Sequence, residues 1–161
     1  MDQNTPVVVY DKDWQNNRQR VEVNVLKKEK DSDRTLEGAI FGLFAKEDIK
    51  SETTGKVLIE ADEIIELKST DEEGKITFVA DLPIGATYYV KELYAPDGFV
   101  TNDEVKEFTF EYAGEDQPTV TYDFTFDNQP TVVEFTKSSL TTGKELPGCK
   151  LKVVDADAVS Y

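Results

Sequence analysis

The sequence predicts an all-β fold, an antiparallel sandwich, on three observations. Apolar and polar residues alternate at period two in one segment after another. These segments are rich in β-branched and aromatic side chains, which suit a pleated, half-buried surface. Gly-, Pro-, Asn- and Asp-containing turns separate them at short, regular intervals, the pattern of an all-β sandwich.

The elements follow in order. In 20–28, Val21, Val23, Val25 and Lys27 share one face, and Glu22, Asn24, Leu26 and Lys28 share the other. A second strand is predicted over 38–45 and a third over 63–69. Residues 58–67 have a short helix as an alternative, but their β-branched content favours a strand. After the turn DEEG (71–74) come a strand at 75–80, the turn LPIG (82–85) and a strand at 86–93. APDG (95–98) leads to 105–112, and AGEDQP (113–118) leads to the clearest strand, TVTYDFTFDN, 119–128. There Val120, Tyr122, Phe124, Phe126 and Asn128 fall on one face.

The chain has 161 residues, a prior for one domain and pieces of neighbours. Its net charge of −15 argues against nucleic acid and against an anionic membrane surface as partners. There is no histidine, which excludes Ser-His-Asp and Cys-His nucleophile activation and His-ligated zinc. No cofactor or metal site is expected. The single Cys149 has no intramolecular disulfide partner. No 18-residue apolar run offers a membrane span. The N-terminal MDQNTPVVVYDKDW lacks the basic start and apolar core of a signal peptide, so any targeting segment is expected outside this chain.

An internal repeat organises the chain. VNVLKKEKDSDRTLEGAIFGL, from Val23, aligns without a gap with VEFTKSSLTTGKELPGCKLKV, from Val133. Lys27 meets Lys137, Leu36 meets Leu146, Gly38 meets Gly148 and Ala39 meets Cys149, an offset of 110 residues. A period of that length means tandem domains. One complete unit is expected at 18–129, with 1–17 as the last strand of a preceding unit and 130–161 as the truncated opening of a following one.

Three polar residues lie in apolar register: Lys27, Glu92 and Asn128. For Glu92 alone, two readings stand: a strand-end carboxylate that reaches water, or a buried one that needs a partner. Considered together, the three side chains are an amine, a carboxyl and a carboxamide pointing into one core. Desolvation favours the neutral form of an amine and of a carboxyl group. A neutral Lys27 amine is a nucleophile, and a protonated Glu92 bound to the Asn128 carboxamide oxygen polarises its carbon and shuttles protons. Fixed geometry supplies an effective molarity on the order of 10⁵ M or more. The product is a Lys27–Asn128 isopeptide bond, formed once. Lys28 is a neighbouring candidate; register favours Lys27.

At these residues the chain resembles the Cna B-type, prealbumin-like domains of Gram-positive surface adhesins and pilins. The carriers are Lys27 with LEGAIFGL (36–43), the box YYVKELYAPDGF (88–99) with Phe99 where the family has Tyr, and FDNQP (126–130). Lys27 is followed by Lys28, Glu29 and Lys30, where the family usually has a hydrophobic residue and Asp. The resemblance implies a Greek-key β-sandwich in which lysine, glutamate and asparagine form an intramolecular isopeptide bond. It implies a stalk or spacer module of a secreted, cell-wall-anchored protein, with signal and anchor outside this chain. Neighbouring repeats of the same polypeptide are the expected partners, and host extracellular matrix is reached through other domains.

Other features receive plainer readings. Lys137 is the lysine of the next repeat and is expected to stay unlinked here. Lys137-Ser138-Ser139 resembles a Ser–Lys dyad, but the repeat accounts for the lysine. The acidic clusters at 31–33 and 155–157 lack the ligand count and glycine of a calcium loop. LPGC (146–149) is not a sorting signal. Cys149 and Trp14 are expected to serve packing. A second functional reading is a ligand-binding adhesin module that engages host matrix protein or glycan through loops 46–57 or 94–104.

Overall fold

A computed structural model describes residues 19–51, 53–134, 136–148 and 150. The expected end strand at 1–17 with Trp14, the cluster at 155–157 and Cys149 lie outside the described residues. The chain divides into two compact units, Met1–Pro130 and Thr131–Tyr161.

Among the described residues the first unit holds nine strands: β1 (Arg20–Glu29), β2 (Ile40–Ala45), β3 (Ile49–Lys50), β4 (Val57–Ile59), β5 (Ile64–Ser69), β6 (Lys75–Phe78), β7 (Thr87–Tyr94), β8 (Val105–Thr109) and β9 (Thr119–Asn128). They form a three-stranded sheet, β6-β1-β9, a four-stranded sheet, β5-β2-β7-β8, and a small β3-β4 pair. The two larger sheets face each other as a sandwich. Their inward positions supply the core: Val21, Val23 and Val25 from β1, Phe41 and Leu43 from β2, Ile76 and Phe78 from β6, Tyr88 and Val90 from β7, and Phe126 from β9. Phe108 of β8 ties the sheets together, its ring 5.6 Å from Tyr88 and 4.6 Å from Tyr122.

All the named pairings are antiparallel except one. β1 and β9 run parallel over their whole length, from Arg20 beside Thr119 to Glu29 beside Asn128. Alternation along a strand does not encode the direction of its neighbour, so the antiparallel expectation missed this pair. Three other differences have local causes. The second strand begins at Ile40, not at residue 38, because Gly38 has φ 84° and belongs to the turn. The fourth ends at Phe78, because Glu66 accepts the N–H groups of Val79 and Ala80 at 3.1 Å and draws them from the ladder. β3 and β4, too short to show a period, lie in a region the sequence presented largely as loop.

Two contacts fix the backbone around Lys27. The Lys27 N–H donates to Gly74 O at 2.7 Å, and the Lys27 C=O accepts from Leu36 N at 3.0 Å. Gly74 adopts φ 71°, and a Cβ there would stand 2.6 Å from Lys27 O. Buried Thr70 staples the neighbouring segment: its hydroxyl accepts from Ala39 N at 2.9 Å and donates to Leu36 O at 2.8 Å.

In the second unit, the bridge between Ser138 and Glu145 stands 110 residues from the bridge between Lys28 and Thr35. Leu146 N donates to Lys137 O at 2.9 Å, as Leu36 N does to Lys27 O, and Ser139 N donates to Lys144 O at 2.8 Å, as Glu29 N does to Arg34 O at 2.9 Å.

Gly74→Ala meets both a left-handed backbone and a backbone clash, and is expected to cost about 1–3 kcal/mol. Thr70→Val strands a buried donor and a buried acceptor and is expected to cost about 1–3 kcal/mol. Denaturant midpoints at constant m-value measure both; an unchanged midpoint would refute the assignment.

Candidate functional site

The site lies where β1, β7 and β9 end. β1 and β9 run parallel and in register, so their inward faces present side chains in matched rows. Lys27 pairs with Phe126, and Asn128 sits one inward position further along β9. The flexible lysine stem spans that offset. From the opposite sheet, Glu92 of β7 pairs with Phe41 of β2. The Phe41 and Phe126 rings stand 5.0 Å apart, and the Lys27 ammonium lies 5.5 Å and 5.8 Å from their centroids. The two rings form one wall of the site, and the three polar groups meet beside it.

Lys27 is 0%, Glu92 1% and Asn128 1% exposed, which removes the reading of Glu92 as a strand-end carboxylate in water. Lys27 Nζ donates to Asn128 Oδ1 at 2.5 Å and approaches Glu92 Oε1 at 3.1 Å. Asn128 Nδ2 donates to the same Glu92 Oε1 at 2.9 Å. The other oxygen, Oε2, accepts the backbone N–H of Asn102 at 2.6 Å. Glu92 therefore faces the nitrogen of the carboxamide, whereas the sequence reasoning placed it on the carbonyl oxygen. Lys28, on the opposite face of β1, is partly exposed and lies 3.5 Å from Asp33.

Burial pushes the Lys27 amine below its ordinary 10.5, against the opposing pull of Glu92, Asp127 and Glu104. A buried ion pair seldom recovers its desolvation cost from Coulomb attraction alone. Here a third polar group completes the set, and among the described residues no buried side-chain nitrogen or oxygen lacks a partner.

The structure brings together Lys27, Glu92 and Asn128. Lys137 is exposed in the second unit, and the Ser139 hydroxyl accepts from Thr142 N at 3.4 Å in a turn. Sequence reasoning missed Asn102. It lies in a loop, where no periodicity marks it. Its one local signal is an Asx-type turn, with Glu104 N donating to Asn102 Oδ1 at 2.9 Å.

Comparison with known proteins agrees with this architecture. The model of the family described as "SpaA: Prealbumin-like fold domain" matches residues 21–127. No curated protein matches the sequence. Among solved structures, the Bacillus anthracis TIE protein is similar, at 24% identity and a TM-score of 0.50, over 70% of this chain and 17% of that one. The pilus 2b backbone protein of group B streptococcus matches at 22% identity and a TM-score of 0.49, over 70% of this chain and 42% of that one. The full-length major pilin SpaD of Corynebacterium diphtheriae matches at 20% identity and a TM-score of 0.49, over 71% and 31%. The chain thus spans less than half the length of each of these proteins. With its all-β sandwich and a family match over most of its length, this chain belongs to the SpaA prealbumin-like fold domains, of the Cna B type.

Proposed function

We propose that the chain is a structural stalk module of a bacterial cell-surface protein or pilin, locked by a Lys27–Asn128 isopeptide bond. The observation that carries this reading is one oxygen, Glu92 Oε1, in reach of both the nucleophile and the leaving group. A proton passes from the Lys27 ammonium to Glu92, leaving a neutral amine and a carboxylic acid. The amine adds to Asn128 Cγ, and its electron pair becomes the new C–N bond while Oδ1 takes up the carbonyl pair. Glu92 gives its proton to Nδ2 and takes one from the added nitrogen. The tetrahedral centre collapses, the Cγ–Nδ2 bond breaks and ammonia leaves. Glu92 finishes as the carboxylic acid, holding the proton first taken from the Lys27 ammonium, while Lys27 and Asn128 are consumed, so the chain turns over once and acts on nothing else.

The repeated hydrogen bonds of the second unit support a tandem array, with 18–129 as the complete module and 130–161 as the opening of the next. Neighbouring modules of the same polypeptide are then the partners, at the cell surface, with Lys137 held for the following module. The adhesin reading gains nothing from loop 94–104, which is hydrogen-bonded over the site.

Intact mass of the denatured chain tests the bond. The wild type is expected one ammonia lighter than its sequence, and Lys27→Ala, Glu92→Ala and Asn128→Ala are expected at full mass. A wild type at full mass refutes the reading. By analogy with a crosslink that closes a loop of about 100 residues, the bond adds about 4–5 kcal/mol to stability.

A pH titration gives a second check. In Asn128→Ala the amine stays free, and its lowered folded pKa means that the unfolded chain binds the proton more tightly. Stability of that variant is expected to rise as pH climbs towards 10.5, by up to about 1.4 kcal/mol per unit. The wild type, with Lys27 consumed as an amide, lacks this slope. Tyr88 and Tyr89, pushed up to about 12 chiefly by burial, act in the opposite sense above their ordinary 10.0, so the comparison belongs below that pH. Parallel pH dependence in the two proteins would contradict the assignment.

A further inference from the structure

We propose that Asn102 is a positioning residue that divides the two oxygens of Glu92 between a holding role and a reacting role; this rests on the isopeptide reading. Asn102 is half-buried in the loop after β7 and makes three polar contacts. Its backbone N–H donates to Glu92 Oε2 at 2.6 Å, and its Nδ2 donates to Asp127 O at 2.8 Å. Its Oδ1 accepts from Glu104 N at 2.9 Å. The first contact engages Oε2 and aims Oε1 at Lys27 and Asn128. The second grips the peptide next to Asn128, so one residue spans the proton carrier and the electrophile. The loop is held there again by Val100 N, which donates to Gln129 O at 2.9 Å, and by the bridge between Phe99 and Pro130.

A carboxylate left free to rotate presents either oxygen to the amine and loses the shared approach to Nδ2. Reaction geometry is sensitive to such freedom, because misplacement by about 1 Å costs on the order of 100-fold in rate. The charged groups around the site are Lys27 on β1, Asp127 on β9, Glu104 in the same loop, and Lys106 on β8, whose ammonium lies 5.8 Å from the Phe126 ring centroid. Among the described residues, the hydrogen bond to Glu92 Oε2 comes from Asn102 N.

The experiment follows ammonia loss by mass after full-length chain, recovered unfolded, is diluted into folding buffer over a series of pH values. Far-UV circular dichroism scores folding in parallel, with Glu92→Gln as a folded, unlinked reference. Asn102→Ala is expected to fold and to lose ammonia on the order of 10- to 100-fold more slowly than wild type. Its pH–rate profile is expected to shift, because a loosened Glu92 holds the Lys27 ammonium at 3.1 Å less firmly and so opposes the downward push of burial on that amine less; a purely structural role would lower stability and leave that profile in place. Asn102→Asp keeps the acceptor for Glu104 N and loses the donor to Asp127 O, and a slowed rate is expected there too, which covers the case of an alanine variant that does not fold. A folded variant that reacts at the wild-type rate with an unshifted profile overturns the proposal and leaves the isopeptide reading intact. A wild type that folds and loses no ammonia overturns both.

Discussion

The parallel pairing of β1 with β9 is the constraint on which the rest of the structure depends. It joins the first and last strands of the unit and so closes a loop that contains every other strand. Such a contact has a high loop-closure cost and is rewarded only by the burial it completes. The register also decides the chemistry. A slip of one residue along β9 would turn Asn128 and Phe126 to solvent and bring Asp127 inward, leaving Lys27 with no electrophile. Packing of the aromatic core therefore sets the positions of the reacting groups, and the site needs no separate scaffold.

The same pairing defines a path for force. In the proposed module, tension enters at the start of β1 and leaves beyond the end of β9. Because the two strands run in the same direction, Lys27 and Asn128 lie at their common far end. Load would pass along β1, cross one covalent bond and continue into the following chain. Strands β2 to β8 would stand outside that path, and their ladders would not have to break in sequence. A hydrogen bond contributes about 0.5–1.5 kcal/mol net, whereas an amide does not yield under thermal conditions.

Much of the fold could be read from the sequence because alternation is a local signal. β9, with Val120 through Asn128 on one face, was legible to the residue. Lys27, Glu92 and Asn128 were legible for the same reason, since a polar residue in apolar register stands out. What stayed hidden depends on partners distant in sequence. The parallel sense of β1 and β9 is a property of the pair. The end of β6 is set by Glu66 on another strand. Asn102 reaches Glu92 through its backbone N–H, which every residue but proline carries, and its side chain signalled only a turn. The orientation of the Asn128 carboxamide, with its nitrogen towards Glu92, depends on the competition of Lys27 for the oxygen.

The unlinked site is costly, and that cost favours reaction. Three polar side chains have left water, and one amine is driven towards its neutral form by burial. Before reaction, the fold bears the desolvation of an ammonium and a carboxylate that attraction between them barely offsets. After the proposed reaction the amine would be a neutral amide, the charge pair would no longer have to be maintained, and ammonia would have gone to solvent. In the proposed reaction the cost of burying the free lysine would be relieved by the bond, so stored folding energy would lower the barrier and mass action on released ammonia would oppose reversal. A surface-exposed lysine and asparagine at the same separation would gain neither benefit, because water would stabilise the ammonium and compete as nucleophile. In the proposed module, burial would thus be both the catalyst of the bond and the reason the folded chain is more stable with it.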